Sequence, residues 1–389
     1  MTQAERHKII IVGGGPAGMA AALHITRRMP WLVDDLLIIE AATYPHRKVC
    51  GGGVTFHGEE QLQDLDIHID VPAFPVHRLV FRLGPRSFSA NSADAMRIIQ
   101  REEFDAALAR AVIDRGLHCR TGERLIDLTV TEDGVTLVTS QATYTADVVI
   151  GADGANSVVR QKLQLPATAG VARLLRAMTP VDPAQSTGWQ ENTAVFDFSC
   201  ILRGIQGYAW DFPCYVAGRP FMNRGIFDSR IAPDHQQPVQ HGALKNAFTA
   251  GLDQRHVDPA SFHLEGHPVR WFNPSAEFAR PRVLLAGDAA GVDPLFAEGI
   301  SYAMQYGVII AEMVEEAFLQ HDFSFHHYRE RLLHHRLGQS LKRRTAVARS
   351  LYRHQWPQFW TAIWQLASIS PAVIKHAVGS SLDVLPAFR

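Results

Sequence analysis

The stretch HKIIIVGGGPAGMAAALHITRR, residues 7–28, decides the fold. An apolar run from His7 to Val12 meets glycines at once and passes into an Ala-rich segment from Ala17 to Arg28. That order predicts strand, tight turn and helix. A second apolar run, Leu36–Ile39, ends in Glu40 and completes a βαβ unit. The glycines fall as Gly13-x-Gly15-x-x-Gly18, and Glu40 stands 22 residues after Gly18. In this context glycines let the backbone turn and approach a pyrophosphate, the helix N-terminus favours its charge, and the acid accepts from ribose hydroxyls. A dinucleotide site is therefore expected, with NAD and FAD not yet separated.

Outward from this unit, strand-like runs recur at Arg78–Leu83, Leu125–Val130, Val135–Thr139 and Val148–Ile150. Between them, Phe104, Leu108, Ala111 and Val112 give Arg101–Asp114 a helical period. From about residue 170 to 270, short β-like runs such as NTAVFDFSCIL, GYAWDFP and NRGIFDSR are broken by Gly, Pro and Asn. An antiparallel sheet inserted into an α/β domain is the expected arrangement. A strand at Val283–Ala286 and a long helix from Gly299 to Leu319 then restore the α/β pattern, and the last sixty residues read as helical. The expected fold class is α/β, α+β overall. A Rossmann-like cofactor domain takes residues 1–70, 96–165 and 279–322, a sheet domain takes 71–95 and 166–278, and helices take 323–389.

Composition narrows the partners. The chain has 389 residues, 38 Lys+Arg against 39 Asp+Glu, and a net charge of -1, which argues against nucleic acid as a ligand. Cys50, Cys119, Cys200 and Cys214 are too widely spaced for a zinc knuckle or redox dithiol, so a reducing compartment is expected. No metal site is expected, because none of the histidines forms a spaced ligand motif. No apolar stretch reaches the length of a membrane span, so a cytoplasmic protein is expected.

Two later segments, from Gly151 and from Arg282, separate FAD from NAD, and a third, from Gln100, completes the set. QREEFDAAL begins at Gln100, GADGANSVVR at Gly151, and RVLLAGDAAGVDPLFAEGI at Arg282. Asp288 follows a strand and Gly287, where a carboxylate suits a ribityl hydroxyl, and the helix start near Gly299 offers N–H groups to an anion. Together with the first motif, these segments resemble the FAD-binding set of the flavoprotein family that includes aromatic hydroxylases, flavin-dependent halogenases and geranylgeranyl reductases. The resemblance implies that Gly13, Gly15 and Gly18, with Pro16 and Ala17, face the FAD pyrophosphate. It implies that Glu40, beside Ala41, binds the adenosine ribose and that Arg101 contacts the phosphate or ribityl region. It places Asp153, Gly154, Gly287, Asp288, Pro294, Gly299 and Ile300 along the cofactor.

Two segments point to a branch. RKVCGGGV, Arg47–Val54, resembles the Cys-Gly-Gly segment of geranylgeranyl reductases, which places Arg47, Cys50, Gly51 and Gly52 near the flavin ring. A flexible loop with a buried cysteine is the bland alternative. GYAWDFP resembles the reductases' Tyr-x-Trp-x-Phe-Pro rather than the halogenases' Trp-x-Trp-x-Ile-Pro, so Tyr208 and Trp210 join Cys50 as the catalytic candidates. Alternation along one strand also lets these aromatics build core. One departure is Ala297-Glu298-Gly299, where the family usually has Gly-x-Gly; alanine restricts φ there and puts tight closure on the flavin in doubt.

The resemblance implies an FAD enzyme that reduces carbon–carbon double bonds of a geranylgeranyl or other polyprenyl substrate, with NAD(P)H or a ferredoxin as electron donor. A monooxygenase or halogenase shares every FAD motif and stays open, as does a flavoprotein redox sensor. From His326 to His376 there are nine Lys/Arg and one acid, interleaved with Trp356, Phe359, Trp360 and Trp364. Such a segment suits either core helices or peripheral contact with anionic lipid on the inner membrane face, where a hydrophobic or lipid substrate would be met.

Overall fold

The computed structural model describes residues 4–166, 170–232, 243–354 and 356–369. Residues 370–389 of the expected helical region lie outside the described residues. In chain order the strands are β1 Glu5–Val12, β2 Leu36–Ile39, β3 Gly53–Thr55, β4 Ala73–Leu83, β5 Arg86–Ile99, β6 His118–Arg120, β7 Leu125–Val130 and β8 Val135–Thr139. They continue as β9 Thr143–Gly151, β10 Val171–Pro180, β11 Thr193–Asp197, β12 Gly207–Val216, β13 Arg219–Asp228, β14 Glu265–Arg270, β15 Ala279–Arg280 and β16 Val283–Leu285. The α-helices are α1 Pro16–Arg28, α2 Phe56–Asp64, α3 Arg101–Ile113, α4 Val158–Lys162, α5 Thr187–Gln190, α6 Ala243–Asp253, α7 Ile300–Gln320, α8 Tyr328–His334, α9 Arg336–Arg353 and α10 Pro357–Ile369.

The first sheet runs β15-β16-β9-β1-β2-β6, with β7 and β8 added beside β9. Its central pairings, β1 with β2 and β9, and β9 with β16, are parallel. Ile9, Ile10, Ile11 and Leu36 to Ile39 are buried on both faces, because helices cover a parallel sheet on each side. Helices α1 and α7 pack closely: a side chain at Gly307 would come within 2.7 Å of the Ala20 backbone.

The second sheet runs β14-β10-β13-β12-β11-β4-β5-β3 and is antiparallel except for the parallel β4–β11 pairing. Its membership differs from the expected boundaries. Gly53–Thr55 pairs with Met96–Ile98, so both segments extend this sheet rather than the cofactor unit. Only three residues long and opened by a glycine that follows two more, β3 gives no hydrophobic periodicity. One sheet face packs on α6 through Ala177, Ile226, Leu244, Phe248 and Leu252; Tyr208, Trp210 and Phe212 point to the other face, toward the first sheet.

Before α7, the turn holds Ala297 at φ 55, the left-handed region that disfavours a Cβ. Replacement of Ala297 by Gly is therefore expected to stabilise the protein by about 1 kcal/mol. Urea unfolding checks this; an unchanged or lower midpoint would show that the alanine is not strained.

Candidate active site

A cavity of about 430 Å³ lies between the two sheets. At one end, the turn from β1 into α1 opens onto it through Gly15, Pro16 and Ala17. The three motif glycines do different work. A Cβ on Gly13 would lie 2.3 Å from the Ala152 carbonyl oxygen, and one on Gly18 would lie 1.9 Å from the Gly13 oxygen, so both permit close packing. Nothing stands within 4 Å of a Cβ on Gly15, which faces the cavity, and no side chain caps α1 there. The first-turn N–H groups are thus available to an anion.

Glu40 organises the same turn. One carboxylate oxygen accepts from the Gly14 N–H at 2.7 Å and the other from Ala42 N–H at 2.9 Å, while Tyr44 donates its hydroxyl to the Gly14 oxygen. Each Glu40 oxygen keeps a second lone pair for a ribose hydroxyl. Ala41 does not line the cavity. Arg101 does, and it forks onto Asp105 with two hydrogen bonds of 2.8 Å. Asp288 lines the wall too; burial raises its carboxyl pKa against the pull of Lys48, Arg101 and Arg270. His267, also in the wall, is lowered to about 4 by burial and by Lys48, Arg101 and Arg176, and so stands neutral.

Some expected contacts fall elsewhere. Arg47 is largely exposed and pairs with Glu265 at 2.9 Å; its neighbour Lys48 lines the cavity instead. Asp153 uses one oxygen to accept the Val158 and Val159 N–H groups, capping α4, whereas Gly154 faces the cavity. Gly287, at φ +59, lets its backbone pack against Ala17, and Pro294 sits behind the wall. Gly299 and Ile300 line the cavity at the uncapped start of α7. An open helix terminus, a half-buried wall carboxylate and space at Gly15 and Gly154 together fit the diphosphate and ribityl chain of FAD.

The Cys50–Gly53 loop forms the next part of the wall. Asn223 donates from Nδ2 to the carbonyls of Cys50 at 2.9 Å and Gly51 at 3.0 Å, and Arg176 adds a 3.2 Å bond to the Cys50 carbonyl. Asn223 Oδ1 in turn accepts from Trp210 Nε1 at 3.1 Å. Trp210 is thus an orienting group for the loop. Tyr208 gives its hydroxyl hydrogen to the Phe296 carbonyl at 2.5 Å, so both aromatics build wall and neither holds a proton free for the cavity. The Cys50 Sγ accepts from the Gly52 N–H at 3.3 Å, which leaves its own hydrogen uncommitted in that bond.

Opposite lies the Leu295–Gly299 turn, whose residues all line the cavity. Glu298 is buried and accepts from Thr55 Oγ1 at 2.7 Å; His57 Nδ1 stands at 3.7 Å, beyond direct hydrogen bonding, and Arg344 at 3.4 Å. Burial alone would raise the Glu298 carboxyl, but His57, Arg344 and Thr55 overcome it and hold the pKa at about 2. Asn223 and Arg344 stand outside every motif of the sequence, whereas Lys48 and Glu298 lie within motif segments that assign them no role.

Beyond the Cys50–Gly53 loop the wall is apolar. Phe81 stacks on Phe88 and Phe196 at centroid distances of 5.2 and 5.4 Å, and Phe198 and Phe296 extend the lining. Leu351, Tyr352, Trp360 and Trp364 from α9 and α10 cover it. Trp360 and Trp364 are buried, whereas Trp356 is 69% exposed.

Comparisons with known proteins agree with this geometry. The FAD binding domain family matches residues 6–317. Digeranylgeranylglycerophospholipid reductase 3 of Methanosphaera stadtmanae is 25% identical over 371 residues, covering 88% of this chain and 86% of that protein. A geranylgeranyl bacteriochlorophyll reductase-like protein from Thermoplasma acidophilum shares the fold with a TM-score of 0.71 at 20% identity, covering 98% of this chain and all of its own. The p-nitrophenol 4-monooxygenase of Pseudomonas putida also shares it, with a TM-score of 0.68 at 16% identity and 94% of each chain covered. The chain therefore belongs to the FAD binding domain family and is an FAD-dependent oxidoreductase.

Proposed function

We propose that this protein is a reductase that saturates carbon–carbon double bonds of an isoprenoid chain. The observation that carries the reading is the aromatic-walled arm running from the Cys50 loop to α10, which suits a long apolar ligand and offers little to a polar one. Similarity to the Methanosphaera reductase supports it. Bound in its reduced form, FAD would supply the hydride that one alkene carbon needs. The Cys50 thiol supplies the proton for the other carbon, and the two together add one H₂ across the bond. Asn223 and Arg176 hold the loop that carries Cys50, and the aromatic wall excludes water and positions the chain. NAD(P)H or a ferredoxin would be the electron donor.

The outer face of α10 extends the reading to a lipid surface. Trp360 and Trp364 point inward, while Leu366 and Ile369, three residues apart, are 51% and 82% exposed beside the exposed Trp356. Among the described residues no helix is long and apolar enough to cross a membrane. Peripheral contact, aided by the basic residues of α9, fits this pattern.

Two outcomes are expected. With chemically reduced enzyme under anaerobic conditions, prenyl substrates should gain two mass units per step, and Cys50→Ala should lower turnover at least 100-fold with FAD still bound. Oxygen-dependent formation of a hydroxylated product would favour the monooxygenase reading, and full activity of the variant would remove Cys50 from the chemistry. On vesicles rich in phosphatidylglycerol, the protein should cosediment, and W356D/L366D/I369D should lower that binding at least tenfold; equal cosedimentation would reject this face as the contact.

A further inference from the structure

Asp293 and Glu298 bracket the turn that faces the cavity, and both are buried. Asp293 accepts the N–H groups of Leu295 and Phe296 at 2.8 and 3.0 Å, which shapes the turn locally. Both carboxylates also meet a single guanidinium. Arg344, itself 1% exposed, places Nη1 2.6 Å from Asp293 and Nη2 3.4 Å from Glu298, with its Cζ 5.2 Å from the centroid of the Tyr302 ring. This arginine belongs to α9, beyond residue 317 where the matched FAD domain ends.

Other contacts from α9 reach the turn and the first turn of α7 behind it. Ser340 and Tyr302 share a 2.8 Å hydrogen bond, and Tyr352 donates to the Leu295 carbonyl at 3.4 Å. Removal of Arg344 would leave two carboxylates buried with one cation fewer, and a pair broken on one side is far costlier than a pair never made. Lysine keeps the charge, but a single ammonium lacks the fork that spans two carboxylates.

We infer that Arg344 is a positioning residue of the flavin site: the C-terminal helix α9 completes the cofactor cavity by holding the Asp293–Gly299 turn at both of its acidic ends. The inference rests on FAD binding and not on the isoprenoid substrate. Its test therefore uses no substrate, and failure of every prenyl assay would leave it standing.

The experiment titrates FAD into apoprotein, reading affinity by flavin fluorescence, the flavin absorption spectrum, and thermal melting. Arg344→Met should weaken FAD binding at least tenfold and shift the flavin bands. R344K should fold yet bind three- to tenfold more weakly, with a shifted spectrum. The triple variant D293N/E298Q/R344M, free of unpaired buried charge, should regain cooperative melting without regaining affinity or spectrum. Should R344M not fold, R344K and the triple variant decide the matter. FAD binding within twofold of wild type, with unshifted bands, in either of those two would overturn the inference and reduce Arg344 to a contributor to stability.

Discussion

Two peptide carbonyls, those of Cys50 and Gly51, sit in the join between the sheets, and one side-chain amide, Asn223, answers both. Arg176 keeps its bond to the Cys50 carbonyl, so exchange of this amide for an apolar residue would strand the part-buried Gly51 carbonyl, at a cost of up to about 1–3 kcal/mol. The orientation of the amide is itself set, since Trp210 donates to its oxygen. Trp210 can lie there only because its neighbour across the strands is Gly225, where a Cβ would fall 2.1 Å from the indole ring. A glycine on one strand, an indole on the next and an amide thus decide where the Cys50 loop runs.

Strand β12 serves both sides of the cavity through its period of two. Tyr208 reaches the Phe296 carbonyl on the turn before α7, Trp210 reaches Asn223 and through it the Cys50 loop, and Phe212 packs where a Cβ on Gly51 would be 3.3 Å away. Successive inward side chains of one strand therefore tie together two segments that lie almost 250 residues apart in the chain. The aromatic face is core and site at once, because the groups that satisfy buried backbone are the same groups that wall the ligand space.

What the sequence made legible follows the range of the interactions. The βαβ unit, helix α3 and the long helix α7 depend on local periodicity and on glycines at short spacing, and they stand close to their expected bounds. The short strand β3 escaped notice because glycine carries no hydropathy signal. Lys48 and Arg47 are adjacent and alike in charge, so only the tertiary path of the loop reveals which one faces the cavity. Asn223 acts across 173 residues and Arg344 across 51, and neither sits in a motif whose spacing would betray it. The C-terminal tryptophans read equally well as core or as lipid contact; the fold divides them, turning Trp360 and Trp364 inward and Trp356 outward.

The same division bears on selectivity. Tyr208 and Tyr352 donate to backbone carbonyls, Trp210 to Asn223 and Trp360 to the His354 carbonyl, so their polar hydrogens are already committed. Trp364 Nε1 has no partner among the described residues, yet it is sealed beneath the surface. A ligand entering the arm therefore meets carbon. A polar ligand would surrender water and receive no hydrogen bond in return, a loss of about 1–3 kcal/mol for each group, whereas an apolar chain gains about 0.8 kcal/mol for each methylene buried. The hydrogen bonds that hold the Cys50 loop and the turn before α7 are thus the same ones that commit the polar hydrogens of Trp210 and Tyr208.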